Sequence, residues 1–352
     1  MIFDRTATEG ARQPAVSDTW RFPALDRAVA RRAGTLEPSA AAVSDFAAWM
    51  NRQTDAKIPT VHAILPPAFY ETFLGPQLHM GSAHYVTGTE DLMAGEQNAL
   101  QTACALAGLA NRQEILDLGC GWGAVTLLVA ETYASAHVTA FTTSPVQAAY
   151  VQAQAAARGL CNVTVQCGAL AAFTPATPFD RVVCMDMMAN VANWRALLLR
   201  VRGWLKSDGR LFAQTPTHIT TPYRMNAART QVALTAPAIM PSQGLIRHFN
   251  DLFKVNAEQH WSGKHPARTA LQWLANFDRN HEKAGKLLHA AYGRQAEFKR
   301  REWRVFFLQS ARLHGHAFGE VWGVGQYAMS PCHAPERHLV AGVVGNAVLA
   351  EH

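Results

Sequence analysis

Between residues 111 and 218, short apolar runs alternate with longer stretches whose apolar residues recur at helical spacing. Glu114-Ile115-Leu116 predicts a buried strand and Ala124–Tyr133 the helix after it; His137–Phe141 is a second strand and Pro145–Arg158 an Ala/Gln-rich helix. Val163–Gln166 and Arg181–Met185 predict the third and fourth strands, Trp194–Lys206 a helix, and Arg210–Gln214 a fifth strand. Ser207-Asp208-Gly209 supplies the turn chemistry expected where that last helix ends. Strands alternating with helices in this way predict an α/β fold with a doubly wound, Rossmann-like parallel sheet. In such sheets ligands lie outside the carboxyl ends of the strands. Here those ends carry Asp117–Gly123, Thr142–Ser144, Gly168–Leu170, Asp186–Asn190 and Thr215–His218.

The flanks read differently. Met1–Asp18 is polar, with helical stretches following around Ser39–Gln53 and Glu96–Leu109, and Tyr70–Val86 between them. After the sheet, Pro222–Pro241 reads as irregular or broken helix, Phe253–Trp261 as a strand, Arg268–Lys283 and Glu297–His316 as helices, and Val321–Met329 as a final strand. The partly apolar tail Cys332–His352 has no assignable element. The expected organisation is an N-terminal tail and helical cap segment (1–110), a ligand-binding core (111–218), a helical lid and substrate region with the final strands (219–330), and a tail (331–352).

The run Asp117-Leu118-Gly119-Cys120-Gly121-Trp122-Gly123 sits where the first strand hands over to a helix. Glycines let the backbone turn sharply and approach a ligand, and the helix start presents free N–H groups, which together suit a nucleotide-type ligand. At 352 residues the chain is longer than one ordinary domain, so the core must carry added helices or a lid. The net charge of +6 raises the question of nucleic acid, but Lys and Arg are dispersed. The densest group, Lys299-Arg300-Arg301 with Arg304, reads as the solvated face of a helix whose other face is Trp303, Phe306 and Phe307. Six scattered cysteines without a CxxC pair point to reduced, buried thiols and a cytoplasmic protein. No stretch approaches the roughly 18 apolar residues of a membrane span, so stable membrane insertion is not expected.

The glycine run has the form DxGxGxG and resembles motif I of class I methyltransferases that use S-adenosyl-L-methionine (SAM). With Val138–Gln147 (VTAFTTSPVQ), Gly75–Tyr85 (GPQLHMGSAHY) and His260–Leu274 (HWSGKHPARTALQWL), the chain is similar to the branch containing cyclopropane-fatty-acid synthases and coclaurine-type N-methyltransferases. The N-methyltransferases are the nearer in wording. The resemblance implies SAM as cofactor, with Asp117 near the amino end of its methionine part and Gly119 and Gly121 allowing close approach. It implies Thr142 and Gln147 at the ribose, Ser82 and Tyr85 in a segment closing over the cofactor, and Ala169 and Leu170 beside the adenine.

Relatives carry a Glu-His pair after the fourth strand, where this chain has Ala189 and Asn190, and the synthases carry a histidine where it has Gln214. The resemblance gives the pair acid/base work in the N-methyltransferases, and gives its glutamate a share in holding bicarbonate in the synthases. Cyclopropanation needs a base for the proton of a methylated carbocation, so these departures point away from it. What remains is Asp186, which either holds a substrate ammonium or hydroxyl or caps the next helix, with His218 and His265, each either catalytic or structural. Trp261, Trp303, Phe307, Phe318 and Trp322 are spaced as core, with room for one or two in an aromatic box for a cation. The expected activity is methyl transfer to a nitrogen, or another heteroatom, of a small, partly apolar acceptor molecule. Alternatives are C-methylation or lipid acyl-chain modification, and a catalytically silent SAM-binding protein.

Overall fold

The computed structural model describes residues 22–54, 65–225 and 239–332. The readings on Met1–Asp18, on the middle of Pro222–Pro241 and on the tail beyond Cys332 lie outside the described residues. Two helices come first, α1 (Phe22–Gly34) and α2 (Ala40–Asn51), then the one-turn α3 (Pro67–Tyr70) and α4 (Leu92–Ala107). Helix α4 starts four residues before its apolar pattern suggested, because the Asp91 side chain caps the Ala94 N–H at 2.8 Å; Gly108 at φ 64° closes it in the left-handed conformation.

The core follows the predicted order: β1 (Glu114–Leu118), α5 (Ala124–Thr132), β2 (His137–Thr142), α6 (Pro145–Ala157), β3 (Val163–Cys167), β4 (Phe179–Met185), α7 (Trp194–Trp204) and β5 (Leu205–His218). Ser144 caps α6 with Pro145 in its first turn, and Asn193 caps α7. Strand β5 is much longer than Arg210–Gln214. The expected turn at Ser207–Gly209 is absorbed into it as an irregularity, the ladder jumping from Phe179↔Leu205 to Arg181↔Arg210.

Two short strands, β6 (Tyr223–Arg224) and β7 (Ile239–Met240), pair with each other. They are followed by β8 (Phe253–Ser262), the helices α8 (Lys264–Arg279), α9 (His281–Tyr292) and α10 (Ala296–Gly315), and β9 (Trp322–Pro331). The main sheet has the order β3-β2-β1-β4-β5-β9-β8. Its first five strands are parallel, as expected, but β9 runs antiparallel between β5 and β8, so the sheet is mixed. The reversal has a simple cause. The chain returns from the cap at the carboxyl edge, where Trp322 pairs with His218, the last residue of β5.

Helices α8 to α10, with α1 across them, form a cap over that edge. Its interior is an aromatic cluster in which Phe69, Phe73, Phe277 and Phe307 are fully buried beside Trp303 and Tyr70. Each such side chain contributes about 1.5–3 kcal/mol by leaving water. The single helix predicted over Arg268–Lys283 is two, broken at Asn280, whose side-chain amide donates to the Thr72 carbonyl. Trp261, Trp303, Phe307 and Trp322 are buried core, whereas Phe318 stands 66% exposed on a turn, so these five do not form an aromatic box. Nor is the basic face of α10 simply solvated. Lys299 pairs with Glu302, Arg300 and Arg301 with Glu297, and the buried Arg304 with Asp278 of α8. The six cysteines are unpaired, and Cys161 and Cys167 are exposed rather than buried.

Candidate active site

The carboxyl ends of β1, β2 and β4 open into a cavity of about 550 Å³ that continues under the cap. Its floor is the glycine turn. Gly119 (φ 85°), Gly121 (φ 54°) and Gly123 (φ 85°) all hold the left-handed conformation that side chains resist. Nothing lies within 4 Å of where a β-carbon on Gly121 would stand, whereas one on Gly119 would meet the Met187 side chain at 3.0 Å. The turn is therefore a cradle on one side and tightly backed on the other. Asp117, 2% exposed, accepts from the Thr126 N–H at 3.1 Å and the Thr126 hydroxyl at 2.6 Å. It thereby caps α5, which begins on Gly123 without a side-chain cap of its own. Burial raises its pKa to about 6 against the pull of those bonds.

Beside the turn, the Thr142 hydroxyl donates to Gln147 Oε1 at 2.8 Å and accepts from the Ser144 N–H at 3.1 Å. With its oxygen engaged, Gln147 offers its amide hydrogens, so a ribose hydroxyl would meet a donor here. Ser82 lines the same cavity, its hydroxyl on the Ala83 carbonyl at 2.9 Å. Asp117, Gly119, Gly121, Thr142, Gln147 and Ser82 thus converge on one space. A glycine cradle at a helix start, beside a preset Thr-Gln pair, fits the methionine and ribose parts of SAM.

Other expected residues stand elsewhere. Ala169 and Leu170 are not among those lining the cavity, and Leu170 is packed in the core with Phe141 and Phe173. Tyr85 is buried under α8, its hydroxyl donating to Gln272 at 2.7 Å and its ring 4.4 Å from the Arg268 guanidinium. His265 lies beside it and accepts the Tyr85 N–H on Nδ1 at 3.1 Å, which pins this segment to the cap.

His218 accepts the N–H groups of Thr220 and Thr221 on Nδ1, at 3.2 and 2.9 Å. In both histidines the engaged nitrogen carries the lone pair, so Nε2 carries the hydrogen and cannot take a proton. Burial also holds each pKa down at about 4. Neither side chain lines the cavity. The same local geometry that makes them good structural ties removes them as bases.

Asp186 does face the cavity. It is one of few non-glycine residues with positive φ, 59°, a conformation aspartate tolerates better than most. Its N–H donates to the Gln214 carbonyl and its Oδ2 accepts from Gln214 Nε2 at 3.1 Å. Gln214 is in turn held by Gln326 Nε2 at 2.6 Å, so two fully buried amides on β5 and β9 orient the carboxyl. Loss of solvent raises its pKa to about 7, with the Gln214 bond opposing. No hydrogen bond ties the Asp186 carboxyl to the turn after it among the described residues, so helix capping is not its role.

The profile of the mycolic acid cyclopropane synthetase family matches residues 51–315. The chain belongs to that family. It is 30% identical over 269 residues to (S)-coclaurine N-methyltransferase of Thalictrum flavum subsp. glaucum, covering 73% of this chain and 74% of that one. Pavine N-methyltransferase of the same plant is 25% identical over 74% of this chain and 76% of that protein. The crystal structure of a coclaurine N-methyltransferase bound to N-methylheliamine and S-adenosylhomocysteine (SAH) superposes with a TM-score of 0.83 at 26% identity, covering 88% of this chain and 94% of that one. A cyclopropane synthase of Mycobacterium tuberculosis shares the fold at 22% identity and a TM-score of 0.65, over 77% of this chain and 96% of that one. This member of the family is a class I SAM-dependent methyltransferase acting on a small molecule. Among the described residues no helix is long and apolar enough to cross a membrane.

Five residues of the cavity wall escape a reading by motif: Leu25, Val29 and Arg32 of α1, His79, and Met187. Helix α1 went unrecognised because Arg21, which precedes its Phe22-Pro23 start in the sequence, is not a capping residue type. Its Leu25, Ala28, Val29 and Arg32 do recur at helical spacing and were the available signal.

Proposed function

We propose that this enzyme methylates a nitrogen of a small, partly apolar amine, with Asp186 holding the acceptor. The supporting observation is a carboxyl directed into a cavity whose wall beyond the glycine turn is largely apolar, including Leu25, Val29, Met240, Phe306 and Leu313. A carboxylate in such a place is costly unless a cation or a donor meets it, and an ammonium with an apolar body does both. The names of the curated relatives, alkaloid N-methyltransferases, point the same way. Bound SAM supplies the methyl group together with a sulfonium leaving group. The chain itself holds the two partners in line, keeps water out through the cap, and manages the acceptor's proton.

In this reading Gly119, Gly121, Asp117, Thr142, Gln147 and Ser82 would bind the cofactor, and α1 with α8 and α10 would select the acceptor. A nucleic-acid substrate finds no support in the basic cluster, since Lys299, Arg300, Arg301 and Arg304 are all matched by carboxylates. The unpaired thiols suit a reducing, cytoplasmic setting. The test is incubation with SAM and a panel of cyclic secondary amines, matched thiols and phenols, and unsaturated phospholipid. Methylated amine accompanied by one equivalent of SAH is the expected result. Methyl transfer confined to phospholipid carbon, or to none of these, would sink it.

A further inference from the structure

With His218 and His265 locked in the wrong tautomer and no titratable side chain at Ala189 or Asn190, the histidines that line the cavity are His314, whose Nδ1 is engaged with the Ser310 carbonyl at 2.9 Å on α10, and His79, which stands near Asp186. His79 lines the cavity from the loop between α3 and α4, is 6% exposed, and its Nε2 has no hydrogen-bond partner among the described residues.

Burial lowers its pKa to about 4, with the Ser82 backbone opposing, so the ring is neutral at neutral pH. To accept a hydrogen bond from the cavity, Nε2 must carry the lone pair and Nδ1 the hydrogen. This is the tautomer opposite to that of His218 and His265.

His79 and Asp186 also meet around one glycine. A β-carbon built on Gly81 would collide with Asp186 Oδ2 and with His79 Nε2, so both polar ends converge on the space that the missing side chain leaves. Gln214, itself held by Gln326, donates to the same Oδ2 that faces Gly81, which fixes that oxygen near His79 with no direct hydrogen bond between the two side chains among the described residues.

We propose that His79 and Asp186, facing one space across Gly81, act together on the acceptor nitrogen, Asp186 taking its proton and His79 Nε2 holding the nitrogen by a hydrogen bond. This rests on the amine reading above. An acceptor ammonium entering the cavity loses one proton: the N–H bond breaks, its electron pair stays on nitrogen as the nucleophilic lone pair, and the proton passes to the Asp186 carboxylate, while His79 Nε2 accepts a hydrogen bond from a remaining N–H. Before the transfer the two groups are a neutral imidazole and a carboxylate; afterwards they are a neutral imidazole and a carboxylic acid, and the amine is neutral. Burial supports this direction, since it holds the His79 pKa at about 4 and lifts that of Asp186 to about 7.

The pair is tested without turnover by nitrogen-15 NMR of histidine-labelled full-length enzyme, with His79→Gln used to assign the His79 signals. In the SAH-bound wild type, the His79 Nε2 resonance is expected to move when Asp186 is replaced by Asn. An unchanged resonance, or one showing hydrogen on Nε2 and none on Nδ1 in both proteins, overturns the pairing. Turnover gives the second arm. With an amine that the wild type methylates, His79→Gln is expected to lose about a hundredfold or more in kcat while SAH affinity, measured by calorimetry, stays within about twofold. Imidazole added to His79→Ala is expected to restore part of the rate. A His79→Gln enzyme at wild-type rate overturns the proposal while leaving N-methylation standing. A wild type that methylates no amine removes the amine reading, and the NMR arm still decides the pair.

Discussion

Replacing Asp186 with asparagine is expected to give a more stable and less active protein, with a gain that depends on pH. Asparagine keeps the shape and still accepts from Gln214 Nε2, now 3.1 Å away, but removes a charge that the surroundings oppose. Raising a carboxyl from its ordinary 3.8 to about 7 disfavours the ionised native form by roughly 4 kcal/mol, at 1.36 kcal/mol per tenfold. The cavity lets water reach one side of Asp186, so about 2 kcal/mol is the expected gain at pH 8. The sign follows from proton counts. Between pH 4 and 7 the native carboxyl holds a proton that the unfolded chain has released, so the wild type gains stability as pH falls and the cost is full only above pH 7. The advantage of Asp186→Asn should therefore shrink at pH 5 to roughly a third of its pH 8 value and vanish towards pH 4. Urea unfolding of both proteins at pH 5 and pH 8 measures this directly. A variant less stable than wild type at pH 8, or a difference that does not change with pH, would refute the placement of a buried, disfavoured carboxylate in the cavity.

Gly119→Val should lower SAH affinity at least a hundredfold, because φ 85° and the Met187 side chain 3.0 Å from the new β-carbon both oppose it; calorimetry showing wild-type binding would contradict the cradle. His218→Ala should cost about 1–3 kcal/mol in urea unfolding, since the Thr220 and Thr221 N–H groups lose their acceptor, while altering kcat less than tenfold at a temperature where both fold. A thousandfold fall in kcat with unchanged stability would restore His218 as a base. Unsaturated phospholipid with SAM and bicarbonate should yield no cyclopropane chains by mass spectrometry, given Ala189, Asn190 and Gln214; their bicarbonate-dependent appearance would overturn that reading.

The alternating core from β1 to β5 and the glycine turn were legible in the sequence because each depends on local chemistry. Strand and helix periods are set by neighbouring side chains, and the turn by residues able to hold positive φ. Asp117, Gly119, Gly121, Thr142 and Gln147 reach one cavity for the same reason, since each sits at the end of a strand, or in the turn or first helical turn after it, whose position the alternation fixes. Tertiary structure decided everything that depends on what a side chain meets at long range. His218 and His265 look like bases by residue type, yet backbone N–H groups hold their Nδ1 atoms, two and three residues away in one case and 180 residues away in the other. Tyr85 and Leu170 were expected at the cofactor but are drawn into apolar clusters formed by segments far apart in the chain. His79 was an unremarked residue within a longer motif, and it acquires meaning only when the cap loop sets it against Asp186 at the end of β4. Periodicity records which face of an element is buried, whereas the charge, tautomer and partner of a buried group are fixed by the packing of elements distant in sequence.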